Sequence, residues 1–405
     1  MSHQTDKPLI ILLQGPLGPF FADFADELKV MGCHVVRVTF NGGDHLYAGD
    51  VEEIPFHAGP DKWPEFLAGL VDDRKPKAIV CYGDMRVYHR EAKRVADALS
   101  TAFWCFEEGY VRPGYSTFEP GGNNAQSLFP IRFRNAETGD DTVPEPYFTR
   151  PLIKSQTWFG ITYYARFGLF FSGYEGYAHH RRGSWLTEQA SWIWAGFRKL
   201  YHTHRDKGLT QQLIEQHSGR IILVPLQVSV DTQLLYHSDF DSMEHFINHM
   251  MQSAARHMAK EDHMVIKHHP MERGHKNYRS LITRLARQHG LVGRVTYAYD
   301  LALEDLMDHT KACITINSTV SMLTLSRGVP TLSLGRSLVT LAGLTSRTAL
   351  DDFWKDPDPV DSELVGRFHR HLVAETQVPG NFYVHRKVAA FAAAKKLCSA
   401  INNHC

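Results

Sequence analysis

The sequence predicts an α/β protein of two domains, each built on a parallel β-sheet with helices on both faces. Three observations predict it. Short apolar runs end at glycine, proline or polar residues, segments with helical spacing of apolar residues separate these runs, and the alternation begins again near residue 210. A length of 405 residues fits two domains of ordinary size.

The first half contains four predicted strands and one well-marked helix. The helix runs over residues 20–31 and stops at Gly32. Each strand is a short apolar run followed by turn residues, which is typical of buried parallel strands. These strands cover residues 8–14, 34–40, 78–82 and 102–106.

The second half repeats the pattern and ends in an alanine-rich segment that predicts a helix over residues 388–402. Its predicted strands cover residues 220–226, 263–267, 295–297, 312–316 and 331–334. We therefore expect an N-terminal domain over 1–210 and a C-terminal domain over 211–405 that includes the last helix.

Residues 151–205 differ from both halves because tyrosine, tryptophan and phenylalanine crowd together there, with arginine and lysine among them. One interpretation is a helical insertion packed by its aromatic side chains. The other is a surface that meets lipid, since this mixture of residues suits the headgroup zone of a membrane.

Composition and charge exclude several classes of protein. Hydrophobic residues make up 43% of the chain, which is enough for real cores. Lys and Arg number 44 and so do Asp and Glu, which argues against a nucleic-acid partner. The N-terminus lacks the pattern of a secretory signal and no apolar run could span a bilayer, so we expect a cytoplasmic protein. The six cysteines form no CxxC pair, and we expect three of them to be buried thiols in strands.

Four polar segments follow predicted strands, at the edge where open α/β sheets bind ligands. The first begins at Gln14-Gly15, where glycines allow backbone N–H groups to approach an anion. A simple tight turn is the alternative for this segment.

The second segment is the acidic pair Glu107-Glu108, followed by Gly109. In an extended chain the two carboxylates point to opposite faces, so one can reach a ligand cleft while the other bonds to backbone or arginine. A carboxylate in a cleft can act as a general base or as a nucleophile, whereas a surface turn would need neither. Arg112 is a candidate for binding a substrate carboxylate or for pairing with Glu107.

The other two segments carry groups that suit phosphate. Lys267 precedes His268 and His269, and Pro270 holds His269 extended. Asn317, Ser318 and Thr319 open a predicted helix, where hydroxyl and N–H groups can bind phosphate or simply cap the helix. The spacing of histidines does not suit a metal site, and we expect no metal or other cofactor.

Together the four segments resemble a GT-B glycosyltransferase, in which two Rossmann-like domains face a central cleft. The strings LLQGPLGPFF, FNGGD, FEEGYVRPG, LQVSVDTQL and NSTVSMLTLSRGVPTLSLGRS closely resemble the KpsS-type family of capsule polysaccharide biosynthesis and export proteins. The resemblance runs over nearly the whole chain and is weakest across residues 151–205.

The resemblance implies a retaining β-Kdo transferase. Such an enzyme moves Kdo, a 3-deoxy-octulosonic acid, from CMP-β-Kdo to phosphatidylglycerol or lysophosphatidylglycerol and so begins the poly-Kdo linker of a capsule. It further implies peripheral attachment at the inner face of the inner membrane. A KpsC-type transferase and the capsule export complex are implied partners.

The resemblance also implies roles for individual residues. His269, Ser318 and Thr319 would bind the CMP phosphate, and Gln227 and Asp231 would bind the donor sugar or help proton transfer. The acidic pair would supply the catalytic carboxylate, which we assign to Glu108 with Glu107 as its support. Lys267 is added because its charge suits the same phosphate.

Three alternatives remain open from the sequence. The enzyme could use another CMP-sugar or a UDP-sugar, the chain could be a non-catalytic export factor, or it could be a nucleotide-sugar epimerase. The last of these does not account for the acidic pair.

Overall fold

The computed structural model describes residues 7–135, 143–147, 153–169, 174, 176–178, 185–229, 238–341 and 343–402. Asp231, a predicted site residue, lies outside them. The chain divides into two compact units. Unit 1 joins Met1–Arg182 to Arg370–Cys405, and unit 2 is Gly183–His369.

Unit 1 is built on a seven-stranded sheet in the order β12-β6-β5-β4-β1-β2-β3. Strands β1 to β5 are parallel, whereas β6 and β12 run antiparallel to their neighbours. The strands are β1 (Leu9–Leu12), β2 (His34–Thr39), β3 (Glu52–Pro55), β4 (Ala78–Tyr82), β5 (Ala102–Glu108), β6 (Tyr115–Pro120) and β12 (Gln377–Pro379).

The helices of this half are α1 (Phe20–Val30), α2 (Gly42–Leu46), α3 (Trp63–Arg74), α4 (Val87–Ala98), α5 (Phe129–Asn135) and α6 (Ile153–Leu169). Alternate residues of the sheet enter two separate cores, as the period of a strand requires. On one face Phe106 packs with Phe20 and Phe24 of α1, and on the other Cys105 packs with residues of α3 and α4.

Unit 2 holds a five-stranded, fully parallel sheet in the order β11-β10-β7-β8-β9. Its strands are β7 (Ile221–Pro225), β8 (His263–Lys267), β9 (Val295–Ala298), β10 (Thr310–Thr315) and β11 (Thr331–Ser333). Its helices are α7 (Trp185–Arg205), α8 (Leu209–His217), α9 (Met243–His257), α10 (Arg279–Gln288), α11 (Leu303–Met307), α12 (Val320–Ser326) and α13 (Leu350–Phe353). The α/β fold with parallel sheets in both halves is confirmed.

The end of the chain returns to unit 1, which corrects the predicted domain organisation. Helix α14 (Ser362–Thr376) crosses the boundary, and α15 (Arg386–Asn402) buries its alanines in the core that contains α1 and β5. The small side chains of Ala389, Ala390 and Ala393 allow this close packing. The sequence pattern predicted the helix but could not show which domain it packs against.

The aromatic region 151–205 forms two described helices that fall in different units, so the first boundary lies at residue 182 and not near 210. Tyr163 of α6 is buried, whereas Trp194, Phe197, Leu200 and Tyr201 of α7 are exposed. Among the described residues, no helix is long and apolar enough to cross a membrane.

Candidate active site

In unit 1 the polar groups gather where the strand order reverses, between β1 and β4. Gln14 follows β1 and Arg86 follows β4. The guanidinium Nη1 of Arg86 donates to Oε1 of Gln14 at 3.2 Å, which bridges the two strand ends. Open α/β sheets bind their ligands at such a reversal.

A buried hydrogen-bond network extends from Gln14 to the segment after β2. Nε2 of Gln14 donates to the Asp44 carboxylate at 3.0 Å and to the Tyr163 hydroxyl at 3.1 Å. The Tyr163 hydroxyl in turn donates to Asp44 at 2.8 Å and accepts from Asn41. Burial raises the pKa of Asp44, and the charge of Arg37 opposes this rise. Helix α6 is thereby fixed to the sheet edge.

The acidic pair is the last two residues of β5 and not a turn after the strand. Glu107 pairs with Thr117 and Glu108 with Ser116 across the antiparallel ladder to β6. The extended backbone sends the two side chains to opposite faces, as predicted. Oε1 of Glu107 accepts the backbone N–H of Glu108 at 3.0 Å.

Glu107 lies among other charges, and its proton affinity reflects them. Burial raises the pKa of Glu107 to about 7 from an ordinary value of 4.5. The backbone N–H of Glu108 opposes the rise, the carboxylates of Glu108 and Asp84 add to it, and Arg86 again opposes it. A carboxyl group with such a pKa can hold or release a proton near neutral pH.

Two tyrosines lie near the acidic pair. Burial followed by the negative charge of Glu108 raises the pKa of Tyr383. Burial, followed by the negative charges of Glu107 and Glu108, also raises the pKa of Tyr82. The loop that carries Tyr383 is held by Asn381, whose Oδ1 accepts the backbone N–H groups of residues 383, 384 and 385 at 2.8 to 3.2 Å.

Two of the predicted glycines are required by close packing. A Cβ on Gly109 would lie 2.3 Å from the carbonyl oxygen of Tyr115, so no other residue fits there without backbone movement. A Cβ on Gly15 would lie 2.8 Å from the ring of Phe21. Both glycines therefore have a steric role, and whether they also touch substrate stays a prediction.

The alternative that pairs Arg112 with Glu107 is wrong. Nε of Arg112 donates to the carbonyl oxygen of Gly109 at 2.7 Å, and the side chain is exposed. The cation beside Glu107 is Arg86, which the sequence interpretation passed over. It could have been found, because Gly83-Asp84-Met85-Arg86 follows a predicted strand just as the other polar segments do.

Unit 2 shows the same arrangement at its own strand reversal, between β7 and β10. Nε2 of Gln227 donates to Oδ1 of Asn317 at 2.7 Å, and the backbone N–H of Asn317 donates back to Oε1 of Gln227 at 3.2 Å. Gln227 is buried and Asn317 is half-buried. Gln227 and Asn317, each predicted to bind the donor, are thus brought together.

Lys267 and the two histidines lie at the end of β8, next to β7 in the sheet. Burial lowers the pKa of Lys267 to about 8, with the charge of Arg273 adding to the effect and Asp300 opposing it. His268 is fully buried, and its Nδ1 lies 2.7 Å from the hydroxyl of Tyr297, so it serves the core.

His269 is half-buried and caps the short 3₁₀ helix Pro270–Glu272, in which Pro270 is exposed. Its Nδ1 accepts the backbone N–H of Met271 at 3.2 Å. In a neutral ring the proton is then on Nε2, which makes that nitrogen a hydrogen-bond donor.

Ser318 and Thr319 lie between β10 and α12. Oγ of Ser318 accepts the backbone N–H of Val320 at 3.3 Å, and the backbone N–H of Ser318 donates to Thr315 at 3.3 Å. Thr319 is exposed. In the parts of the chain that the structure describes, no group of three His, Cys, Asp or Glu side chains could hold a metal ion.

Two α/β units, each with polar side chains at the reversal point of a parallel sheet, define a protein of the class that binds ligands at the carboxyl ends of its strands. Residues 77–383 match the family model described as "Capsule polysaccharide biosynthesis protein". The chain belongs to this family, which confirms the resemblance seen in the sequence.

Relatives of the chain include "Capsule polysaccharide export protein KpsS" of Escherichia coli, which is 36% identical over 92% of this chain and 96% of that protein. "Capsule polysaccharide modification protein LipB" of Neisseria meningitidis serogroup A is 35% identical over 92% of this chain and 91% of its own length.

Solved structures similar to the chain include "Thermosulfurimonas dismutans KpsC, beta Kdo 2,7 transferase". That match has 12% identity and a TM-score of 0.45 and covers 96% of this chain and 99% of the other. A glycosyltransferase from Rickettsia africae matches with 8% identity and a TM-score of 0.37, covering 98% of each chain.

Proposed function

We propose that the protein is a retaining β-Kdo glycosyltransferase that moves Kdo from CMP-β-Kdo to phosphatidylglycerol or lysophosphatidylglycerol. Its product would be the first unit of the poly-Kdo linker of a capsular polysaccharide. The observation that carries the proposal is the acidic pair, in which Glu107 fixes the backbone of Glu108 and the two carboxyl groups have different surroundings. Membership of the capsule polysaccharide biosynthesis family supports it.

The CMP phosphate would bind at the strand reversal of unit 2. Lys267 supplies a positive charge and His269 an N–H donor, while Ser318 and Thr319 offer hydroxyl groups and Thr319 also a backbone N–H group. These groups would stabilise the charge that develops on the departing phosphate, so the proposal requires no metal ion. The amide pair of Gln227 and Asn317 and the carboxylate of Asp231 would contact the donor sugar.

Retention of configuration requires two displacements at the anomeric carbon of Kdo. In the first, a carboxylate oxygen of Glu108 bonds to that carbon as the bond to the phosphate oxygen breaks, and CMP leaves with the electron pair. In the second, a hydroxyl oxygen of the acceptor attacks the same carbon and Glu108 departs. The proton of the acceptor hydroxyl passes to a base, for which the raised pKa of Glu107 is suitable.

The acceptor is a lipid, so the proposal includes peripheral attachment at the inner face of the inner membrane. Helix α7 supports this with a stripe of exposed apolar side chains at three- and four-residue spacing. Its members are Trp194, Phe197, Leu200 and Tyr201, exposed by 57%, 63%, 72% and 63%. Lys199 on the same helix is exposed and would favour anionic lipid.

The direct test incubates the purified chain with CMP-Kdo and phosphatidylglycerol, follows CMP release, and determines the product linkage by NMR. A β-linked Kdo on the glycerol headgroup is the expected product. CMP-sialic acid and a UDP-sugar serve as competing donors. Turnover with one of these and none with CMP-Kdo would transfer the proposal to another sugar.

A non-catalytic export factor is the second candidate, since the Escherichia coli relative is named as an export protein. An export factor would bind polysaccharide without consuming any donor. The same assay separates the two, because complete absence of CMP release with all donors, by protein that still binds polysaccharide, would favour this candidate. A KpsC-type transferase and the export complex remain proposed partners in either case.

A further inference from the structure

Unit 1 contains a pocket of about 740 Å³ beside the ends of β2 and β3, which the function proposed above does not use. Its wall includes His45 and Leu46 of α2, Glu53 of β3, and His57, together with Arg166 of α6 and Tyr174. We propose that this pocket binds a phosphoglycerol group and holds the headgroup of the lipid acceptor. The inference rests on the proposed function for the source of that group.

The charges of the pocket favour a phosphate. Arg166 carries a permanent positive charge, and a guanidinium binds two phosphate oxygens at once. Among the described residues of the wall, the one carboxylate is that of Glu53, and it is already engaged. Both of its oxygens lie 2.9 Å from Nδ1 of His45, and one accepts the Thr39 hydroxyl at 2.8 Å.

The remaining polar groups suit the hydroxyls of glycerol. The Tyr174 hydroxyl lies 3.3 Å from that of Thr39, so it can donate to or accept from a polyol. A cation with hydroxyl donors and acceptors nearby is the combination that a phosphoglycerol requires, and a bare inorganic phosphate would use only part of it.

Helix α6 connects the pocket to a surface that could receive acyl chains. Trp158, Thr162 and Arg166 follow one another at four-residue spacing and so lie along one stripe of the helix. Trp158 and neighbouring Ile161 are 63% and 55% exposed. Trp158 and Arg166 are separated by about 12 Å along the axis. Thr162 fixes this stripe, since its hydroxyl lies 2.5 Å from that of Tyr47 at the end of α2.

A chain of contacts also connects the pocket with the acidic pair. Helix α2 carries His45 and Leu46 in the pocket wall and Asp44 in the buried network. Asp44 accepts from Gln14, and Gln14 accepts from Arg86, whose charge acts on Glu107. An acceptor held in the pocket would therefore lie at one end of the polar network whose other end is the proposed catalytic pair.

The test measures binding separately from transfer. The full chain is titrated with sn-glycerol 3-phosphate, with inorganic phosphate, and with vesicles of phosphatidylglycerol or of phosphatidylcholine. Wild type is compared with Arg166→Ala, with Arg166→Lys, and with Arg94→Ala, which changes an exposed helical arginine elsewhere in unit 1. Thermal unfolding checks that each variant is folded.

We expect Arg166→Ala to weaken binding of glycerol phosphate about tenfold or more, because a charge-assisted contact to phosphate is lost. Arg166→Lys should show an intermediate loss and Arg94→Ala none. Binding of glycerol phosphate and of phosphatidylglycerol vesicles together identifies the lipid headgroup, whereas binding of the soluble probe alone identifies a free glycerol phosphate.

Unchanged affinity in folded Arg166→Ala would overturn the proposal, and so would equal affinity for inorganic phosphate and glycerol phosphate. The two proposals fail separately. Arg166-dependent binding without any Kdo transfer would leave the pocket standing and remove the proposed reaction. Kdo transfer by Arg166→Ala with an unaltered KM for phosphatidylglycerol would support the proposed reaction and remove the role proposed for the pocket.

Discussion

Glu107 accepts the backbone N–H of Glu108 at 3.0 Å, so one member of the acidic pair fixes the position of the other. The two side chains nevertheless point to opposite faces of β5, and the charges of Arg86 and Asp84 act on Glu107. This relationship assigns different tasks to two identical side chains, and variants at each position separate those tasks.

Glu108→Gln should lower the rate of Kdo transfer by about 10²- to 10⁴-fold while CMP still binds, since the amide can neither attack carbon nor take a proton. Glu107→Gln should keep more activity than Glu107→Ala, because the glutamine oxygen still accepts the N–H of Glu108. Initial rates and CMP titrations of the three variants make the comparison. Near-normal turnover of Glu108→Gln would remove that residue from the mechanism.

Burial raises the proton affinity of Glu107, and Arg86 should partly offset this rise. Removing a positive charge near a carboxylate raises its pKa, so Arg86→Met should shift the acidic limb of the pH–rate profile upward. Arg86→Lys should shift it less, and Arg94→Ala is the exposed control. An unshifted profile in folded Arg86→Met would show that Glu107 does not control that limb.

The sequence predicted the strands that are continuous apolar runs, such as β4 and β8, because burial on both faces leaves a strong signal. It missed β3, β6 and β12. Strand β3 (Glu52–Pro55) is short and lies at one edge of the sheet. In β12, Gln377 pairs with Thr117, which is a contact between distant parts of the chain. Short edge strands and such long-range pairs have no local pattern to reveal them.

Part of the candidate site could be predicted from the rule that ligand-binding residues follow the carboxyl ends of parallel strands. That rule identified Gln14, Glu107, Lys267 and Asn317, and it would have identified Arg86 had it been applied after β4. It could not identify which cation approaches Glu107, because distance between side chains depends on packing. Tyr383 was out of reach for the same reason, since the chain returns to unit 1 only after residue 370.

The buried carboxyl groups of unit 1 should make stability depend on pH. Burial raises the pKa values of Asp84, Glu107 and Glu119 to about 7 each. Between pH 5 and 7 these carboxyl groups hold protons in the folded chain that the unfolded chain has lost, so their contribution to the free energy of unfolding falls as pH rises. Burial lowers the pKa of His202 and His263 to about 4 and that of His268 to about 3, which opposes this slope below about pH 6.5. The net fall is therefore expected above about pH 6.5. Lys396, whose pKa burial lowers to about 8, acts only above this window.

Urea unfolding at several pH values between 5 and 7.5 measures this slope. Glu119→Gln should make the free energy of unfolding depend less on pH, because one carboxyl group no longer takes up a proton. The difference from the wild type should be on the order of 1 kcal/mol or more over the window. Glu65→Gln, at an exposed position of α3, should leave the slope unchanged. Stability that rises between about pH 6.5 and 7.5 in the wild type, or a slope in Glu119→Gln equal to that of the wild type, would contradict the argument.

Lys267 should make CMP binding depend on pH. Its pKa of about 8 means that the free protein loses this positive charge as the pH rises past 8. The phosphate of CMP keeps its full charge above pH 7, so the affinity for CMP should fall between pH 7.5 and 9.5. Lys267→Arg should keep the affinity constant over that range, since arginine remains charged.

Lys267→Met should bind CMP about ten- to a hundredfold more weakly at pH 7.5 and show little further loss at pH 9.5. Lys260→Met, at an exposed position of unit 2, is the matched control. Calorimetric titration supplies the affinities. A pH profile of Lys267→Met that parallels the wild type would place the responsible charge on another residue.

The exposed stripe of α7 should determine lipid attachment. Replacing Trp194 and Phe197 by serine removes two large apolar side chains from the water-facing surface, and each contributes to membrane binding in proportion to the area it buries. Flotation with phosphatidylglycerol liposomes should show a loss of at least about tenfold in the bound fraction at limiting lipid. Phe391→Ser removes an equally exposed phenylalanine, 53% accessible on α15, and should float like wild type. Since the stripe is not buried in unit 2, both sets of variants should unfold at the wild-type temperature. Equal flotation of the wild type, the double variant and Phe391→Ser would assign membrane attachment to a different surface.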